Sequence, residues 1–449
     1  MRRLSLKAAV AAALFAVAAP AAAETVAVTN ARILTMGPAG EIASGTVVIR
    51  DGKITAVGPN VSAPAGARVI DAKGAIVTPG FIAADSALGA VEVSALGETN
   101  DLNAQSRNFS AAFDVQYGLN PDSMLLPAAR LGGITRAVVV PDHPGRRDGH
   151  KHDDGYTAGG GHETDAESLF AGQAAVVHLG AGDDMLVKAK VAQLIPLGDA
   201  GATVSGGARG ATFVALKEAL DAVRTYRARR SAYDTGSLRD LGLSRADLEA
   251  LIPVVEGRQP VILSVHRAAD IRNALRFARD EKLKIILDGA EEGWRVADEI
   301  ARANVPVILN PVSNLPGSFE TLGSTMENAA RLQQSGVTVI VKGGDSSHRA
   351  REMRYNAGNA VAHGLPYQAA LAGMTINPAR VFGVADRVGS LEPGKEGDLV
   401  IWDGDPLEPM SQPVAVFIRG EEQSLMSRGR MLADRYRNPN DAYPPAYKK

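Results

Sequence analysis

One pattern repeats between Val77 and Val341, and few architectures satisfy it. Short apolar runs alternate with longer stretches whose apolar residues return at helical spacing. The runs are Val77 to Ala84, Arg136 to Val140, Ala174 to His178, Val261 to Val265, Lys284 to Leu287, Val305 to Leu309 and Val337 to Val341. Each is suited to a buried strand. Between many of them lie amphipathic stretches, among them Thr212 to Arg230, Ala268 to Glu281 and Trp294 to Ala303. Strand, helix, strand with short turns predicts parallel strands joined by right-handed crossovers. About seven strands are countable. An eighth completes an α/β fold, a TIM-type (β/α)8 barrel.

The two ends of the chain have a different texture. Thr25 to Val28, Arg32 to Thr35, Thr46 to Ile49, Lys53 to Val57 and Arg68 to Asp71 read as short strands, with Asp51-Gly52 as a hairpin turn. Asp398 to Trp402 and Val414 to Ile418 read the same way near the other end. The economical arrangement is one small β-sandwich built from both ends of the chain. The expected divisions are 1–23 as a signal peptide, 24–76 and 385–435 as the sandwich, 77–384 as the barrel, and 436–449 as an irregular tail.

The export signal rests on Arg2, Arg3 and Lys7, an apolar run from Ala8 to Ala19 that is short for a membrane span, and Ala21-Ala22-Ala23 before Glu24. A periplasmic or secreted protein is expected, the alternative being an uncleaved anchor. No later segment is long and apolar enough to span a membrane. The net charge of -2 gives no basic face for nucleic acid. With no cysteine among 449 residues there is no disulfide, no thiolate ligand and no lipid-anchoring cysteine.

Several runs together resemble the amidohydrolase superfamily, in particular its imidazolonepropionase- and prolidase-like branch. Gly52-Lys53-Ile54 followed by Pro79-Gly80-Phe81-Ile82 matches the passage from sandwich to barrel. Thr375-Ile376-Asn377-Pro378-Ala379-Arg380 matches the last barrel helix, and the run from Gly389 to Val400 matches the return to the sandwich. Order and spacing agree across most of the mature chain. The resemblance implies a metal-assisted hydrolase of C–N bonds, with its chemistry at the carboxyl ends of the barrel strands.

The ligand positions that the resemblance implies depart from the family pattern. Where the first strand normally ends in His-x-His, this chain has Asp85 and Ala87. The fifth-strand position falls on Ser264, with His266 two residues on and on the same strand face. The sixth-strand histidine is Asp288. The aspartate that moves protons in the family is kept as Asp345. No convincing bridging lysine is found, though Lys188 and Lys190 lie in the right part of the chain.

The candidate site is therefore Asp345 as the catalytic group and Asp85, His266 and Asp288 as metal ligands. A divalent cofactor (Zn, Mn or Mg) is implied, and a carboxylate-rich donor set favours Mn, Mg or Ca over zinc. No tight binuclear zinc centre is expected. A second cluster, His143, His150, His152 and His162 with several acids, lies in a polar stretch over 142–163, where it either binds metal or is a solvated insertion. Two readings stay open: a hydrolase acting on a small-molecule amide, cyclic amide or peptide-like substrate, or an altered descendant that keeps the barrel as a binding or partner module. An oligomer is compatible with either.

Overall fold

The computed structural model describes residues 24–94, 96–104, 109–143, 168–344 and 347–437. The signal segment, nearly all of the expected tail, and the cluster residues His150, His152 and His162 lie outside them.

The N-terminal strands are β1 (Val26–Leu34), β2 (Glu41–Arg50), β3 (Lys53–Gly58), β4 (Arg68–Asp71) and β5 (Ile76–Pro79). The barrel strands are β6 (Phe81–Ser86), β7 (Ile134–Val139), β8 (Gly172–His178), β9 (Leu186–Pro196), β10 (Val261–Val265), β11 (Ile285–Gly289), β12 (Val307–Leu309) and β13 (Val339–Val341). Near the C-terminus come β14 (Leu399–Trp402), β15 (Pro413–Ile418) and β16 (Glu421–Glu422).

Both chain ends share one sheet, ordered β16-β15-β14-β5-β1-β2-β3, with β4 paired to β1. The expected sandwich thus takes the form of a single sheet. Its β3 edge meets the segment that leads into β14, since Ile54 donates its amide to the Lys395 carbonyl and Gly397 donates to that of Gly52. One apolar cluster, from Ile54 on β3 to Phe417 on β15, fills the enclosed space. The segment after β16 ends in a helix, Arg428–Arg435, inside the stretch 385–435 given to the sandwich.

The apolar run Val77 to Ala84 is two strands rather than one, so the barrel begins at Phe81. Gly80 is the break. A Cβ there would lie 2.1 Å from Oγ1 of Thr135, so any side chain would push β6 off β7. Its amide donates to the Asp398 carbonyl of the sheet while the Phe81 amide donates to Gly133 of the barrel. Trp402 fills the same junction, its ring stacked on Phe81 at 5.4 Å and its indole N–H donating to Thr78 Oγ1 at 3.0 Å.

The second sheet runs β6 through β13 in chain order. Its strands are not all parallel. β8 pairs antiparallel with both β7 and β9, while the other neighbours pair parallel. The seven residues from Leu179 to Met185 that join β8 to β9 are too few for a crossover, which needs a dozen or more. They make a hairpin instead. β9 itself escapes a sequence reading because its first half carries exposed Lys188 and Lys190 and only Val191 to Pro196 is buried.

Alternate residues fill the barrel: Ile82 and Ala84, Val138, Ala174 and Val176, Ala192 and Leu194, Ile262, Ile286, Ile308 and Ile340. The other strand face packs with the helices in a larger cluster. Ala379, Phe382, Val384 and Val388 join the interior cluster, so the segment after Thr375 closes one end of the barrel. Helices Tyr367–Met374 and Ile376–Val381 pack on both β6 and β13, where the two ends of the sheet meet.

Candidate active site

The open end of the barrel is where the parallel strands finish. Asp288 follows Ile286 by two and so faces inward from β11, as Ser264 does after Ile262 on β10. Asp85 would face outward by the same count. A register shift between Ala83 and Ser86 breaks the alternation and turns the end of β6.

Between these carboxylates stands a lysine. Lys342 directly follows β13 and lies two residues beyond inward-facing Ile340. Its Nζ donates to Asp85 Oδ2 at 2.9 Å and to Asp288 Oδ1 at 2.8 Å. The three side chains are 10%, 8% and 3% exposed, so both ion pairs are largely shielded from water. The Lys342 backbone is held as well: its amide donates to the Leu309 carbonyl, and its own carbonyl accepts from Asn356 Nδ2.

His266 lies beside this group. Its Nδ1 is 2.6 Å from Glu291 Oε2, and the ring sits over Gly289, where a Cβ would come within 2.5 Å of Nδ1. Gly289 also has φ +89°, so the position requires glycine on two counts. Burial opposes a charge on His266, but the adjacent Glu291 carboxylate, helped by Glu320 and Asp288, raises its pKa to about 9. The same pairing lowers the pKa of Glu291 against the opposing effect of burial. At neutral pH the pair is imidazolium and carboxylate.

This gives a first test. A raised histidine pKa contributes stability that is fully present below the unfolded value near 6.5 and is lost as pH rises through about 9. Glu291→Gln is therefore expected to destabilise the protein at pH 7 and to differ less from wild type at pH 10. The His266 ring protons should titrate at least about one unit lower in the variant. An unchanged NMR titration midpoint would show that Glu291 does not hold the proton.

Of the sequence candidates, the structure brings Asp85 and Asp288 to one cation and places His266 next to them. Asp345 lies outside the described residues. Ala87 is buried in the outer apolar cluster. Lys188 donates to the carbonyls of Phe382 and Gly383, and Lys190 lies 3.8 Å from Asp114, so both serve other contacts than the Asp85–Asp288 pair. Of the polar stretch only Asp142 and His143 are described, both buried just past β7. Lys342 and Glu291 escaped the sequence reading. The signal for Lys342 was present, since alternation from Ile340 sends it inward.

The metal implied by the resemblance does not fit the described groups. The Lys342 ammonium stands between the two carboxylates that would ligate it. Among the described residues, no group of three histidine, aspartate or glutamate side chains is arranged around a common ion position.

Comparison with known proteins agrees with the fold. The amidohydrolase family profile matches residues 277–432, which include Asp288 and Lys342. The chain is 24% identical over 402 residues to amidohydrolase tasK of Hapsidospora irregularis, covering 84% of this chain and 40% of that protein. It is 25% identical over 438 residues to imidazolonepropionase of Brucella anthropi, covering 83% and 91%. The solved structure of an amidohydrolase from Thermotoga maritima superposes with a TM-score of 0.75 at 23% identity, covering 89% of this chain and 99% of that one. These likenesses place the segment 277–432 in the range of the amidohydrolase profile and give the chain the fold of the amidohydrolase from Thermotoga maritima.

Proposed function

We propose that this chain is a hydrolase of C–N bonds in small amide, cyclic amide or peptide-like molecules, acting after export to the periplasm or beyond it. The observation that carries the reading is the meeting of Asp85, Asp288, Lys342 and the His266–Glu291 pair at the open end of an amidohydrolase barrel. Buried charges in that number at a barrel mouth are costly to keep and are characteristic of sites that do chemistry. Export rests on the N-terminal sequence. No helix among the described residues is long and apolar enough to cross a membrane.

The residues suggest a division of labour. A water attacks the amide carbonyl carbon and gives its proton to a carboxylate, the part the resemblance assigns to Asp345. The developing oxyanion is stabilised by the positive charge of Lys342. The C–N bond breaks as the leaving nitrogen takes a proton from the His266 imidazolium, whose side chain is about 30% exposed. One water is consumed for each bond cleaved, giving an acid and an amine, both on one ring-opened molecule when the amide is cyclic.

A panel of N-acyl amino acids, dipeptides and cyclic amides tests this with purified mature protein. Turnover of at least one class is expected, falling at least about 100-fold in Asp345→Asn. The second reading, a binding module, is favoured by the same lysine, which engages the carboxylates a hydrolase of this family would use otherwise. It predicts saturable binding of panel members without turnover.

A further inference from the structure

We propose that the Lys342 ammonium is the resident cation of this barrel, standing in for a divalent metal between Asp85 and Asp288. It does not rest on the hydrolase reading, because it concerns what holds the two carboxylates together and is read out by binding.

The argument is one of charge and geometry. Two carboxylates from separate strands, β6 and β11, converge on a single nitrogen at 2.9 and 2.8 Å. Without a positive charge between them, two such buried groups would repel. Divalent ions hold carboxylates together in the same way, at somewhat shorter range. Here the charge is covalently attached, carried on a four-carbon stem from the end of β13. The backbone at its root is fixed by the bonds to Leu309 and from Asn356. Local concentration then favours the ammonium over any dissolved ion, since it never leaves the site.

It follows that removing the ammonium should open a site for a metal. Manganese is the suitable probe, because it prefers oxygen donors and stray imidazoles bind it weakly. Wild type, Asp288→Asn, Lys342→Ala and the double variant Lys342→Ala/Asp288→Asn are stripped with chelator, dialysed and titrated with manganese chloride. Bound metal and melting temperature are measured together.

Wild type is expected to retain no manganese after dialysis and to melt at the same temperature with and without it. Lys342→Ala should bind one ion per chain, at least about tenfold more tightly than wild type, with a melting temperature that climbs as manganese is added. The double variant should lose both effects. The proposal is overturned if wild type holds one manganese that Asp288→Asn loses, or if folded Lys342→Ala binds none. Should Lys342→Ala fail to fold without metal, Lys342→Gln carries the same comparison, and the wild-type arm alone can still overturn the idea.

Discussion

Arg136→Met is expected to cost about 3–5 kcal/mol of stability. Arg136 is fully buried on β7. Its Nε donates to Asp398 Oδ2 at 2.6 Å, its Nη2 to Asp398 Oδ1 at 3.0 Å, and Nη2 also bonds Glu396. Both acids sit where the chain re-enters the terminal sheet, so this cluster joins barrel to sheet. Methionine fills similar space but leaves two shielded carboxylates without their cation. The Arg419 amide on Asp398 and the half-exposed Arg387 on Glu396 compensate in part. Denaturant unfolding at pH 7 measures the loss. Adding Asp398→Asn to the variant should recover some of it, because the neutral amide no longer needs the guanidinium. A loss below about 1 kcal/mol would mean that the junction is held by apolar contacts such as Trp402 on Phe81.

Lys342→Met should have a comparable cost, again about 3–5 kcal/mol, when measured in chelator-treated buffer. The side chain keeps its length and loses its charge, which removes the ammonium that Asp85 and Asp288 share. The expected signature is a loss that shrinks in acid, where one carboxylate can take up a proton and end the repulsion. Asp288→Asn in the Met background should recover part of the stability. If Lys342→Met were as stable as wild type at pH 7, the two ion pairs would be too weakly coupled to organise the mouth.

Much of the fold is legible in the sequence because it is written in burial. Val261 to Val265 has the same limits in both readings, and so does the helix Ala268–Glu281. The Pro79-Gly80 run marks the fold for a packing reason: Gly80 lies against Thr135 with no room for a side chain. The direction of β8 was not legible, since an apolar run reads the same for either orientation and only the short link to β9 reveals the reversal. The candidate site was half legible. Asp85 and Asp288 stand out as carboxylates at strand ends. Lys342 does not, because lysines are usually at the surface and only its place two residues after Ile340 turns it inward. Glu291 matters only through His266, a contact that depends on how the turn after β11 folds back.

The manner in which the barrel closes bears on how it can yield. Among the described residues no backbone ladder joins β6 to β13, the two borders of this nearly closed sheet. What fastens the borders is the pair of overlying helices and the bond from Lys342 to Asp85, residues 257 positions apart in sequence. Among the described residues, parting them would break no strand ladder, whereas splitting the sheet between any other neighbours would. The softest line of the wall therefore runs through the charged group at its mouth, and the lysine that sets the electrostatics of the site is also the clasp of the structure around it.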